Sequence, residues 1–262
     1  MHARRSTLPA LSALSLATAF LAGCSHRSAP PQGLPCHAVA ATGNFALDTD
    51  QSANAATIAA VGKRLGLPDH AVTVALAAAL QESKLYNLPY GDLDSLGLFQ
   101  QRPSQGWGTK DQILNPRYAA AAFYQHLATV ANWQTLSVTD AAQAVQHSGA
   151  PDAYAQWETE ARTVAQALTG EVAAGFTCRT VNPASKAPPV TVLATDLSAE
   201  IGSPALGVPL DTARGWLVAG WLIAHAGQYG VTTVTFAGQR WSGHTGTWTA
   251  QPPPTNTVQV NR

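Results

Sequence analysis

HAVTVALAAALQES, residues 70–83, decides the fold class. It opens behind Pro68 and Asp69 and is apolar nearly all round, with Val72, Leu76 and Leu80 at helical spacing. A helix that is apolar on every side is enclosed by other elements, so this one marks the centre of a helical domain. Only its last turn carries chemistry, in Glu82 and Ser83. Two influences there favour a protonated Glu82: burial, and the partial negative charge at a helix C-terminus. A carboxyl that keeps its proton near neutral pH is what a general acid needs. A solvated, idle Glu on a fraying helix end fits the same position equally well.

The reading widens from this helix in both directions. Upstream, Asp50 or Ser52 caps a helix through residues 54–65 that ends before Gly66 and Pro68. Downstream, residues 86–113 carry Pro89, Gly91, Gly97, Pro103, Gly106 and Gly108, a long irregular segment of the kind that usually serves function. Asn115 and Pro116 begin a third helix, Asp140 a fourth, and Pro151 a fifth that runs to Leu168. The expectation is a mainly α domain over residues 48–178. Residues 24–47 read as a tether rich in Pro, Ser, Ala and Gly, and residues 179–208 as a linker. Residues 209–262 read as a small α+β module. Asp211 or Thr212 caps its helix, which Gly230 stops, and residues 231–236, 241–248 and 258–260 are strand candidates. Its Trp216, Trp221, Trp241 and Trp248 suit the core of a small domain, with glycan binding as the other use.

The N-terminus speaks for export. Arg4 and Arg5 precede an uncharged run, residues 8–22 (LPALSALSLATAFLA), and Leu-Ala-Gly-Cys24 follows. A short apolar run that ends at small residues is a secretory signal rather than a membrane span. Leu21-Ala22-Gly23-Cys24 also resembles the bacterial lipobox, which implies a signal peptide over residues 1–23 and acylation of Cys24. Losing Arg4 and Arg5 leaves a formal charge of about −2, so no basic surface invites nucleic acid. No later apolar run reaches spanning length. With Cys24 acylated, Cys36 and Cys178 remain as a pair, and an even remainder in an oxidising compartment suggests one disulfide. Neither has partners at metal-ligand spacing, so no metal is expected.

Glu82-Ser83, with fourteen residues intervening between Glu82 and Gly97-Leu98-Phe99-Gln100, resembles the Glu-Ser…Gly-Leu-Met-Gln pattern of soluble lytic transglycosylases, which share the goose-type lysozyme fold. YGDLDSLGLFQQRPSQGWGTKDQILNPRYAAAAFY, residues 90–124, is similar to a lysozyme-like domain of actinobacterial wall proteins and actinophage lysins. The resemblance spans residues 48–170. It implies a peptidoglycan-cleaving enzyme acting, without cofactor, on the β-1,4 bond after N-acetylmuramic acid. Glu82 becomes the catalytic acid, Ser83 a group that orients it or meets substrate, and Gln100 with Gln101 a wall of the sugar cleft. The family's Ala-Tyr-Asn-Ala-Gly motif is replaced here by Val145-Gln-His-Ser-Gly149, with Gln146 and His147 at the tyrosine and asparagine positions.

Other residues stay open. Asp92 and Asp94 suit either a second carboxylate or turn chemistry. Tyr90 and Trp107 suit either sugar platforms or loop anchors, and His147 either a substrate contact or a structural partner. The expected protein is therefore a lipid-anchored, extracytoplasmic glycosidase that meets glycan strands. The alternative is a lysozyme-like lipoprotein that binds wall glycan or a protein partner without cleaving. Acylation makes the first testable claim: the wild-type chain takes up labelled fatty acid and enters the detergent phase, and Cys24→Ser does neither. Equal labelling of both chains refutes the anchor.

Overall fold

Strand β1 (Cys36–Ala40) pairs with β2 (Gly43–Leu47) in a tight antiparallel hairpin, Cys36 facing Leu47 and Ala40 facing Gly43. These residues fall in the segment expected as tether. Cys36 and Ala38 are fully buried and, together with Leu47, give the hairpin an inner face, a signal too short to stand out among Pro, Ala and Gly. The computed structural model describes residues 35–180 and 187–262; the expected signal peptide, Cys24 and the rest of the tether lie outside the described residues.

Helix α1 (Thr49–Arg64) starts one turn earlier than its sequence suggested. Asp48, not Asp50 or Ser52, is its cap, in a reciprocal box with Gln51. Helix α2 (Asp69–Ser83) follows and buries every residue from Ala71 to Leu80. The irregular stretch holds a 3₁₀ turn, Pro103–Gln105, and one short α-helix, α3 (Lys110–Ile113). Asn115 caps α4 (Pro116–Thr129), as its sequence position foretold. Ser137 rather than Asp140 caps α5 (Val138–Gln146). The last expected helix is split: Pro151–Trp157 is a 3₁₀ turn, and only α6 (Glu158–Thr169) is α-helical, stopped by Gly170 at φ +87. Helices α1, α4, α5 and α6 surround α2.

Strand β3 (Phe176–Cys178) completes a three-stranded sheet in the order β2-β1-β3. The Arg179 amide donates to the Pro35 carbonyl, which leaves Cys36 and Cys178 opposite each other in the close, non-hydrogen-bonded register. They form the expected disulfide, with their Cα atoms 3.9 Å apart. In the chain-entropy view, closing a loop of 142 residues stabilises the fold by roughly 4–5 kcal/mol.

The expected linker contains α7 (Val190–Ile201). Leu193, Leu197 and Ile201 recur every fourth residue, are buried, and face α1 and α8 (Thr212–Ala224). Asp211 caps α8, which His225 separates from α9 (Ala226–Tyr229). Four strands close the chain: β4 (Thr233–Phe236), β5 (Gln239–Ser242), β6 (Thr247–Ala250) and β7 (Gln259–Asn261), in the order β6-β5-β4-β7. The 241–248 candidate is thus a hairpin that sets Trp241 against Trp248, not one strand.

This helix and sheet do not stand apart. Helix α8 is buried from Gly215 to Ala224 and packs on α1, α6 and β3. Trp241 Nε1 donates to the Cys178 carbonyl at 3.1 Å, and Trp248 Nε1 to the Phe176 carbonyl at 2.9 Å. A Cβ on Gly170 would lie 1.9 Å from the Ala213 oxygen, so only glycine permits that approach. The described residues, 35–180 and 187–262, form one compact unit. A chain ending at Val181, which division at a linker would leave sound, is expected to lose cooperative unfolding and to bind a hydrophobic dye. A sharp thermal transition in that fragment, with its disulfide intact, would show the helical part to be independent.

Candidate active site

The site is built where α2 comes to the surface. Lys84 and Leu85 both adopt left-handed backbone (φ 55 and 66), turning the chain sharply as their amides satisfy the Leu80 and Ala79 carbonyls. Glu82 stands half-buried in that last turn. The Tyr154 hydroxyl donates to Glu82 Oε1 at 2.8 Å. Tyr154 is fully buried, and burial, with Glu82's charge and hydrogen bond adding to it, pushes the phenol well above its ordinary pKa. It therefore stays a donor across the physiological range. Glu82 Oε2 takes no hydrogen bond from the described residues.

The 3₁₀ turn that supplies Tyr154 also secures the rest of the helix end. Trp157 Nε1 donates to Gln81 Oε1 at 2.8 Å, and the Lys84 ammonium lies 4.1 Å from the centre of the Trp157 ring. Partial burial lowers the Lys84 pKa and the neighbouring Glu82 charge opposes that shift. Tyr154 and Trp157 escaped the sequence reading, which treated residues 151–168 as one α-helix. Three residues per turn put i and i+3 on one face, so a 3₁₀ assignment of PDAYAQW aims both rings at one neighbour.

Opposite stands a tight hairpin. Leu96 and Gln101 exchange both backbone hydrogen bonds across Gly97-Leu98-Phe99-Gln100. Three side chains anchor it. Ser83 Oγ donates to the Leu98 carbonyl at 2.8 Å, Gln146 Nε2 to the Phe99 carbonyl at 2.9 Å, and Gln101 Nε2 to the Ala119 carbonyl at 3.1 Å. Gly97 sits at φ +76, and a Cβ there would meet the Ile113 oxygen at 2.7 Å. The two halves of the sequence motif are thus tied together through Ser83.

These anchors reassign two residues from the expected sugar contacts. Ser83 and Gln101 are buried, and the Ser83 hydroxyl and the Gln101 Nε2 are spent on backbone carbonyls that hold the hairpin in place. Gln100 is half-buried and folds under the preceding loop, its Nε2 3.2 Å from the Gly97 carbonyl and its Oε1 occupying the place a Cβ on Gly91 would need. Its backbone is left-handed (φ 48). Tyr90 is 67% exposed and Leu93 beside it 75%, so this loop offers its apolar side chains to solvent. Trp107 is half-buried and stacks on His126 at 3.9 Å between ring centres. Burial, with the nearby His147 charge, lowers the His126 pKa. His147 itself is exposed, in left-handed backbone just past α5.

Asp92 is exposed. Asp94 is committed to structure: its carboxylate accepts Arg102 Nε at 2.7 Å, the Ser104 amide at 2.8 Å and the Ser104 hydroxyl at 3.0 Å. Arg102, then the Ser104 amide, hold its pKa down at about 2. Among the described residues, no group of three His, Cys, Asp or Glu side chains is placed to hold a metal. A cavity of about 400 Å³ lies elsewhere, against α1, α8 and α9, and one of about 240 Å³ against α1, α4, α7 and α9. No family model matches the sequence, and comparison with characterised proteins finds no related sequence.

The Asp94 anchor makes a claim about pH. Its folded pKa is below the unfolded value, so its support for the 94–104 loop is full above about pH 4 and fades as pH falls through about 2. Carboxyl NMR is expected to show Asp94 titrating near 2, and Arg102→Gln to return it towards the ordinary value. A wild-type titration near 4 refutes the anchor.

Proposed function

We propose that this chain is an exported, lipid-anchored enzyme that cleaves the β-1,4 bond between N-acetylmuramic acid and N-acetylglucosamine in peptidoglycan, on a helical domain of lysozyme type. The carrying observation is the Tyr154–Glu82 hydrogen bond in a turn that is itself tied, through Ser83, to the Gly97–Gln100 hairpin. A lone surface glutamate has no need of a buried phenol aimed at one of its oxygens. The disulfide accords with an oxidising compartment outside the cytoplasm.

In this reading Tyr154 fixes the rotamer of Glu82 and leaves Oε2 for the glycosidic oxygen. Glu82 gives that oxygen its proton as the bond breaks, and the resulting carboxylate is stabilised by the Tyr154 hydroxyl and the Lys84 charge. Glu82 then acts as base. With Asp94 bound to Arg102, the nearby loop offers only Asp92 to position a water, which favours attack by the sugar's own C6 hydroxyl and 1,6-anhydro products. Exposed Tyr90 and the Trp107–His126 stack supply flat faces for pyranose rings.

A second reading is a glycan-binding lipoprotein without activity. The replacement of the family's tyrosine and asparagine by Gln146 and His147 favours it, as does the placing of the described cavities away from Glu82. Glu82→Gln is expected to abolish clearing in a peptidoglycan zymogram, a loss of about 10²–10⁴-fold, while glycan binding persists. Tyr154→Phe is expected to lower kcat with little change in KM. Mass spectrometry of wild-type products should find muropeptides one water lighter than the reducing forms. If the wild-type protein releases nothing from several peptidoglycans yet binds them, the second reading replaces the first.

A further inference from the structure

The cavity of about 240 Å³ lies where the helical part meets the C-terminal helices, well away in sequence from Glu82. Its walls include Thr57 of α1, Arg117 of α4, Asp196 and Glu200 of α7, His225 just before α9 and Tyr229 at its end. Asp196 and Glu200 stand four residues apart on one helical face. Each is held by an aromatic donor: the Tyr229 hydroxyl reaches Asp196 Oδ2 at 2.8 Å, and Trp221 Nε1 reaches Glu200 Oε2 at 2.6 Å. One oxygen of each carboxylate is left without a partner among the described residues.

His225 adds an independent sign. It is 6% exposed, and its ring stacks on Trp221 at 4.1 Å. Its Nδ1 lies 2.9 Å from the Trp221 carbonyl, an oxygen that only accepts, so Nδ1 carries the proton and Nε2 presents a lone pair. Burial lowers the His225 pKa, which keeps the ring neutral. No described residue donates to Nε2. A buried acceptor lining a cavity, beside two carboxylates with open oxygens, asks for a ligand rich in N–H donors.

A bare metal ion does not answer, because these groups do not gather around one point. An ammonium group does, with positive charge and three donors. Arg117 completes the match: its guanidinium has no ion-pair partner among the described residues and suits a carboxylate. The volume lies below the range of drug-sized pockets, which restricts the guest to a few heavy atoms beyond those two groups. We propose that this cavity binds a free amino acid as its zwitterion, the ammonium against the open oxygens of Asp196 and Glu200 and the carboxylate against Arg117, with the neutral His225 ring forming part of the wall. The guest would bridge α1 and α4 to α7 and α9.

Titration calorimetry on the full chain tests this with glycine, L-alanine, D-alanine, L-lysine and L-glutamate, and with ethylamine and propionate as half-ligands. At least one amino acid is expected to bind with Kd below about 1 mM, ethylamine at least tenfold more weakly, and propionate not measurably. Glu200→Gln keeps an acceptor for Trp221, and Arg117→Gln touches no described ion pair. Each is expected to weaken the best amino acid at least tenfold while the thermal midpoint stays within a few degrees. The proposal is overturned if the wild type binds none of the amino acids, if ethylamine matches the best of them, or if both variants bind as the wild type does.

Discussion

The enclosure of α2 by α1, α4, α5 and α6 is the constraint on which everything else depends. Five of its residues are alanine, and small side chains let four neighbours approach one axis. A larger residue at Ala75 or Ala78 would overfill the centre and cost about 1–3 kcal/mol. A helix with no polar face meets water only at its ends. Its C-terminal turn is therefore both the natural exit for a functional group and a place where position is set by the whole core. Glu82 inherits that rigidity without any interaction of its own, and Tyr154 adds only the final choice of rotamer.

What could be read from sequence follows the same logic. The apolar run of α2, the Asn115 and Asp211 caps and the pairing of Cys36 with Cys178 each rest on a rule that acts within a few residues or on simple parity. The hairpin at 36–47 and helix α7 were hidden for one reason. Their apolar stretches are short, and surroundings rich in Pro, Ala and Ser masked the spacing of Leu193, Leu197 and Ile201. Residue type also misled at the site. Ser83 and Gln101 are polar residues, yet burial turns them into struts that set the hairpin's position. Tyr154 lies 72 residues from Glu82, on a 3₁₀ segment where a continuous α-helix was expected. Nothing within a short window of sequence carries that information.

Three tryptophans of the C-terminal part illustrate how a core residue can also be a joint. Trp241 and Trp248 point their ring nitrogens at carbonyls of β3, and Trp221 reaches across to Glu200 on α7. Each ring buries apolar area and spends its one donor on a neighbouring element, so loss of the ring would leave a cavity and an orphaned acceptor together. This is why the helical part and the C-terminal sheet behave as one body despite the Pro-rich stretch between them.

The cross-strand bond between Cys36 and Cys178 also sets how the molecule bears mechanical load. Tension arriving along the chain from upstream of Cys36 has two routes onward, the 142-residue covalent loop or the single sulfur bridge. The bridge is shorter and stiffer, so the pull passes directly to Cys178 and into the strands and α8 beyond it. The helices that carry Glu82 sit on the slack branch. Force applied upstream of Cys36 would stretch the C-terminal sheet before it disturbed the geometry around the glutamate.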